Sequence, residues 1–283
     1  MDGKIDSESG KKMFVIFSDL DGTLLDHASY SFEPALPALE ALKESGIPLV
    51  LCSSKTRFEI ESLRKKLANE HPFIIENGGG IYLPKKYFRR MLEDMKEDPE
   101  YWIIPLGIPY SEIRNVLERI RSGVYERIRG FGDLAAEEVA LLCDFSLEDA
   151  QRAKQREYDE PFFLEDKGRI GEIEDAAGRS NLRILRGSRF FHLMGNTDKG
   201  KAVNRLKKLF AEEYGSLTTI GLGDSPNDKE MLEAVDHPIL LKKPDGTHDS
   251  INSMANLIHA RSIGPQGWNE AVMDILHNLK NSG

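Results

Sequence analysis

Short apolar runs alternate with helix-spaced segments at both ends of the chain, and this rhythm limits the possible folds more than any other feature. Residues 13–17 are an apolar run that reads as a strand buried on both faces, and they lead into Ser18-Asp19-Leu20-Asp21-Gly22-Thr23. Residues 34–45 place Leu36, Leu39, Ala41 and Leu42 at helical spacing, with Gly46 as a C-cap. Residues 47–52 are a second buried strand, which runs into Ser53-Ser54-Lys55-Thr56-Arg57. Thr56-x-x-Glu59 has the form of a capping box that opens a helix to about Leu67. Residues 73–75 make a third strand, stopped by Asn77-Gly78-Gly79-Gly80. This βαβαβ order predicts a parallel sheet with crossover helices.

From about Lys85 to Gly195 the rhythm lapses. Helices are expected at 111–121 and 147–157, and strands at 169–173, 182–185 and 190–193. It then resumes with a helix at 199–214, a strand at 217–222, the loop Gly223-Asp224-Ser225-Pro226-Asn227-Asp228, a helix at 229–235 and a strand at 239–241. Helices at 250–257 and 267–280 close the chain. The expected architecture is an α/β, doubly wound parallel-sheet core (residues 13–86 and 195–283) interrupted by an inserted α+β cap (87–194) and preceded by a floppy tail (1–12).

Composition narrows the function. A net charge of -9 disfavours binding along a nucleic-acid backbone, although a metal and a few cations can still make one site locally positive. Two cysteines, Cys52 and Cys143, stand far apart and suggest no disulfide framework, which fits a reducing cytoplasm. No apolar run is long enough to span a bilayer, and residues 1–12 lack the apolar core of a signal peptide.

Four segments carry chemistry, each just after an expected core strand or at a helix start, where open α/β sheets hold ligands. Asp19 and Asp21 would point to opposite faces in an extended chain, but the turn allowed by Gly22 can bring both to one ligand. Ser53 follows the second strand, Lys199 opens a helix in Asp198-Lys199-Gly200-Lys201, and Asp224 and Asp228 share a loop. Together they read as an oxygen-rich Mg²⁺ site beside a phosphate site. Asp19, Asp224 and the Asp21 carbonyl would hold the metal. Ser53, Lys199 and loop N–H groups would hold phosphate oxygens. Asp228 reads as a direct ligand, as a group orienting a bound water, or as a charge at a helix start, with the second favoured. Asp19 can attack phosphorus, while Asp21 protonates the leaving oxygen and later activates water.

In their order and spacing these segments resemble motifs one to four of the haloacid dehalogenase-like (HAD) phosphohydrolases, in the Cof-type branch whose large cap lies between motifs two and three. Finer features resemble the family of mannosyl-3-phosphoglycerate phosphatases: Cys52-Ser53-Ser54-Lys55-Thr56-Arg57, Glu76-Asn77-Gly78-Gly79-Gly80, Arg156-Glu157-Tyr158-Asp159-Glu160-Pro161-Phe162 and Gly187-Ser188-Arg189-Phe190-Phe191-His192. The resemblance implies Mg²⁺-dependent hydrolysis of a phosphorylated sugar-glycerate to mannosylglycerate, a compatible solute; the chain is expected to be cytoplasmic, as a monomer or homodimer.

It also marks Ser53, Ser54, Lys55, Asn77, Gly78, Arg156, Glu160 and Arg189 as substrate contacts. Several have plain alternatives. Ser53 could be an N-cap, Asn77 and Gly78 a simple turn, and Arg156 and Glu160 a charged helix end. Arg156 could instead pair with the glycerate carboxylate, since Arg grips carboxylates bidentately. Asn227 is expected to orient Asp21 or Asp228. Arg189 and His192 have opposite parity on one expected strand, so His192 reads as structural unless the strand bulges.

Overall fold

A computed structural model describes residues 13–125, 127–187, 189–251 and 254–281. The expected tail (1–12) and Ser188 lie outside the described residues. In chain order, β1 Met13–Ser18, β2 Leu49–Cys52, β3 Phe73–Ile75, β4 Gly80–Pro84, β5 Lys96–Glu97 and β6 Tyr101–Pro105 belong to a nine-stranded sheet. A second, antiparallel sheet holds β7 Ile128–Gly130, β8 Asp159–Leu164, β9 Leu182–Arg186 and β10 Phe191–Gly195. The first sheet then resumes with β11 Leu217–Gly223, β12 His237–Lys242 and β13 Ile258–Ile263.

The large sheet runs β13-β12-β11-β1-β2-β3-β4-β6-β5. Its pairings from β13 to β3 are parallel, and β4, β6 and β5 add an antiparallel edge. The central strands are apolar on both faces because helices cover both. Trp268, Val272 and Leu276 of the helix Gly264–Asn281 pack with Ala38, Leu42 and Ile16 on one side. Ala202, Val203, Leu206 and Phe210 of the helix Lys199–Tyr214 pack with Val15, Phe17 and Val50 on the other. The doubly wound core and the separate α+β unit are therefore as expected. The Thr56 capping box is present: Glu59 N–H donates to Thr56 Oγ1 at 3.3 Å, and Thr56 N–H donates to Glu59 Oε2 at 2.9 Å.

Several expectations change. The large sheet continues to Pro105, past the expected boundary at residue 86, because Ile81, Leu83, Phe88, Met95 and Ile104 bury their side chains against the core. The segment expected as a strand at 169–173 starts the helix Ile170–Gly178, whose Ile173, Ala176 and Ala177 recur at helical spacing. The helix expected at 147–157 stops at Ala153, and β8 follows at Asp159. No helix forms at 250–257 among the described residues there, while β13, unexpected, adds an edge strand.

Candidate active site

The strand end of β1 carries the first pair of acids. After Ser18 the chain turns within a few residues: Thr23 N–H and Leu25 N–H both donate to the Leu20 carbonyl, and Gly22 N–H donates to Leu25 O. Gly22 has φ +82°, and a Cβ there would fall 2.5 Å from Asp224 Oδ2. Only glycine combines that left-handed backbone with so close an approach. Asp19 and Asp21 thereby face one cleft, which Asp224 also lines. Beneath them, Trp268 Nε1–H donates to Ser18 Oγ at 3.0 Å and Ser18 Oγ–H to the Asp19 carbonyl at 2.7 Å. This brace from the last helix carries no recognisable signal in the sequence.

Lys199 enters from the start of its helix, where Asp198 caps by accepting from Lys201 N–H at 2.7 Å. Its ammonium is out of contact with water and donates to Asp19 Oδ1 and to Asp228 Oδ1, both at 2.6 Å. The other Asp228 oxygen accepts the backbone N–H groups of Asp224 and Ser225 at 3.1 and 3.2 Å. Asp228 thus shapes the loop and seats Lys199 with both oxygens engaged. Thr23 Oγ1–H donates to Asp224 Oδ1 at 3.2 Å.

Carboxylate oxygens of Asp19, Asp224 and Asp228 lie within 4.8 Å of one another. Burial and then the Asp228 charge push the Asp19 pKa above the usual carboxylate range, against the pull of Lys199. Burial and then the Asp19 charge do the same to Asp224. Among the described residues one ammonium, Lys199, is hydrogen-bonded within this trio, to Asp19 and Asp228 but not to Asp224, so the cluster lacks positive charge. Asp21 Oδ1, at its edge, is buried without a hydrogen-bond partner. An all-oxygen, charge-deficient set with an unmatched acceptor fits a hard divalent cation and offers no sulfur or imidazole to a softer one.

Above the acids, the cleft lies between the two sheets. Asp21 Oδ2 takes the Lys55 ammonium at 2.9 Å. Burial works against that ammonium, but Asp21 and Glu59 outweigh it and hold its pKa above the ordinary value. The Lys55 ammonium also lies 5.1 Å from the Tyr30 ring centre and 5.7 Å from that of Phe145. The two rings meet edge to face at 5.9 Å, across the cleft from one sheet unit to the other.

Ser54 and Lys55 line the cleft, as does Arg189, which donates to Cys143 O at 3.1 Å. Ser53 is buried behind them, with its Oγ accepting Lys55 N–H at 3.2 Å. The other expected contacts are held by protein partners. Glu160 is wholly buried outside the cleft, held by Tyr110 Oη–H at 2.5 Å, Arg114 at 2.7 Å and Gly132 N–H at 3.0 Å. Gly78, at φ +88°, has room for no side chain, since a Cβ would meet Asp198 O at 2.1 Å. Asn77 is buried and bonds Asp159 and Asn227. Asn227 accordingly braces Asn77 and Ser225 and leaves Asp21 and Asp228 to other partners. Arg156 borders the cleft, but its guanidinium donates to Ser54 O and Asp159 O, both at 3.1 Å, and sits 3.3 Å from the Asp159 carboxylate.

Strand parity does not separate Arg189 from His192. The strand begins at Phe191, so Arg189 lies in the bend before it, and both side chains reach the same cleft. No sequence signal places Tyr30 or Phe145 there, because each comes from a loop that only the fold brings round.

Comparison with known proteins agrees with this geometry. A family profile described as haloacid dehalogenase-like hydrolase matches residues 16–101. A Methanococcoides burtonii protein named glucosyl-3-phosphoglycerate/mannosyl-3-phosphoglycerate phosphatase is 46% identical over 94% of this chain and 98% of its own length. The Pyrococcus furiosus mannosyl-3-phosphoglycerate phosphatase is 36% identical over 86% of this chain and 96% of its own. A solved structure from Thermoplasma acidophilum matches with a TM-score of 0.68 at 18% identity, over 94% of this chain and 99% of that one, which speaks to the fold alone.

Proposed function

The chain belongs to the haloacid dehalogenase-like hydrolases, and we propose that it removes the phosphate from mannosyl-3-phosphoglycerate, releasing mannosylglycerate, with Asp19 as the nucleophile. The observation that supports this most is the buried trio Asp19, Lys199 and Asp224 at the floor of a cleft that Asp21 also faces. The names of the curated relatives supply the substrate class.

Lys199 engages Asp19 Oδ1, and among the described residues Oδ2 has no hydrogen bond, so it is the oxygen free to attack phosphorus. Lys199 then offsets charge on the phosphoryl oxygens as they approach Asp19, and the Ser53 hydroxyl proton is available to one of them. Asp21 stands two residues on, held by Lys55. It protonates the leaving glycerate oxygen and later takes a proton from the water that cleaves the phospho-aspartate. Asp19 and Asp224, with the Asp21 carbonyl, would hold Mg²⁺, with Asp228 acting through Lys199 and the loop. A bound Mg²⁺ would screen the substrate phosphate from these carboxylates and draw charge from its oxygens. Lys55 and Arg189 are the cleft cations left to meet the glycerate carboxylate.

Phosphate release from a panel of esters tests the reading. Mannosyl-3-phosphoglycerate is expected to be turned over faster than glucose 6-phosphate or sucrose phosphate, and comparable rates would refute it. Glucosyl-3-phosphoglycerate belongs in the panel, since the Methanococcoides burtonii relative is named for both sugars.

A further inference from the structure

Two of the seven histidines, His27 and His192, line this cleft, and the ring of His192 is held there by a hydrogen bond. Its Nδ1 lies 2.9 Å from Asp159 Oδ2 and 3.0 Å from Oδ1. Asp159 is fully buried, yet it is surrounded by donors: Asn77 Nδ2–H at 3.0 Å and the Arg156 guanidinium at 3.3 Å complete its shell. Burial opposes its charge, but the Arg156 guanidinium and the hydrogen bonds from His192 and Asn77 favour it, and the carboxyl stays below the usual range. An ionised carboxylate only accepts hydrogen bonds, so Nδ1 must carry the proton that faces it. In the neutral ring, Nε2 is then left with a lone pair.

Among the described residues only Nδ1 of this ring is hydrogen-bonded. The space beside Nε2 is narrow on one side, where a Cβ on Gly187 would fall 2.8 Å from it, so glycine keeps that flank clear. The neighbouring cleft wall is built from the Phe131, Phe145, Phe190 and Tyr30 rings, surfaces suited to the apolar face of a sugar. An aromatic wall with one oriented acceptor can receive a sugar and read one of its hydroxyls.

We propose that His192 is a specificity-determining residue whose Nε2 accepts a hydrogen bond from a hydroxyl of the substrate's sugar, and that Asp159 is the positioning residue that fixes its tautomer. The proposal rests on the reading of the substrate as a glycosylated phosphoglycerate. Asp159 also connects the two units: Asn77 donates to it and accepts from Asn227 Nδ2 at 3.3 Å, and Asn227 lies in the loop that carries Asp224. Two side chains thus separate the group that reads the sugar from the loop that carries a metal carboxylate.

Two variants and one spectrum test this. For His192→Gln, kcat/KM for mannosyl-3-phosphoglycerate should fall roughly three- to tenfold, the worth of one hydrogen bond. The inhibition constant of 3-phosphoglycerate, which lacks the sugar, should move by a clearly smaller factor. Asp159→Asn can present an amide N–H to Nδ1, which turns Nε2 into a donor, and should show the same imbalance. In the wild-type protein, the ¹⁵N signal assigned to His192 (the one missing from His192→Gln) should show an unprotonated Nε2, and the glycosylated ligand should shift it. Equal losses for ligands with and without the sugar, or a protonated Nε2 that ligand does not move, would overturn the proposal. A wild-type enzyme that ignores glycosylated phosphoglycerates would instead defeat the substrate reading, so the two failures are distinguishable.

Discussion

The Lys199 ammonium stands 2.6 Å from Asp19 Oδ1, with none of its side chain exposed to water. Burial works against the charge on Lys199, but Asp19 and Asp228 outweigh it and hold its pKa above the ordinary value. Replacing it by methionine keeps the bulk and leaves three carboxylates facing one another. Breaking a buried ion pair from one side costs about 3–5 kcal/mol, so Lys199→Met should lower the urea midpoint strongly. It should also reduce kcat by about a hundredfold or more, as expected when a group that balances transition-state charge is lost.

The raised pKa values of Asp19 and Asp224 set the sign of a metal effect. Where the folded-state pKa exceeds the unfolded one, the folded form binds more protons, so these groups make the metal-free protein lose stability as pH rises through that interval. Mg²⁺ requires the deprotonated carboxylates and competes with those protons. The rise in Tm on adding Mg²⁺ should therefore be larger at about pH 8 than at about pH 5. Calorimetric scans at both values check this, and an equal or reversed shift would place the metal elsewhere.

Gly22 sits where Asp224 leaves no room for a methyl group. Gly22→Ala should cost about 1–3 kcal/mol through its φ alone. By displacing Asp224 it should also weaken Mg²⁺ about tenfold or more, as lost support of a metal ligand does. Titrating activity with Mg²⁺ gives the apparent affinity directly.

Glu160 is a substrate contact by resemblance and a buried brace by position. Glu160→Gln keeps the shape but weakens the bonds to Arg114 and Tyr110, so it should cost roughly 1.5–3 kcal/mol in urea denaturation. KM for the glycosylated ester should stay within about twofold, as for a change remote from the ligand.

The acidic floor of the site was legible because each of its residues follows an apolar strand or opens a helix, and such positions converge in a doubly wound sheet. Asp19, Asp21, Lys199, Asp224 and Asp228 all arrive together for that reason. The cleft walls were not legible in the same way. Tyr30, Phe145 and His192 come from loops and a cap strand whose relative placement depends on contacts between the two sheets. Strand parity misjudged His192 because the strand starts at Phe191, a boundary that local pattern fixes poorly. β13 and the edge strand β5 were missed because they are partly polar, which weakens their apolar pattern, and β6, apolar but only five residues long, lies beside β5.

The most direct test of the central claim is chemical identification of the phosphorylated residue. Enzyme quenched during turnover of mannosyl-3-phosphoglycerate and reduced with borohydride should yield homoserine at position 19, since an acyl phosphate on aspartate is reduced to the alcohol. Peptide mass spectrometry that finds homoserine at Asp19 in the wild type and none in Asp19→Asn is the predicted result. Reduction at Asp21 or Asp224, or turnover by Asp19→Asn at the wild-type rate, would contradict the account.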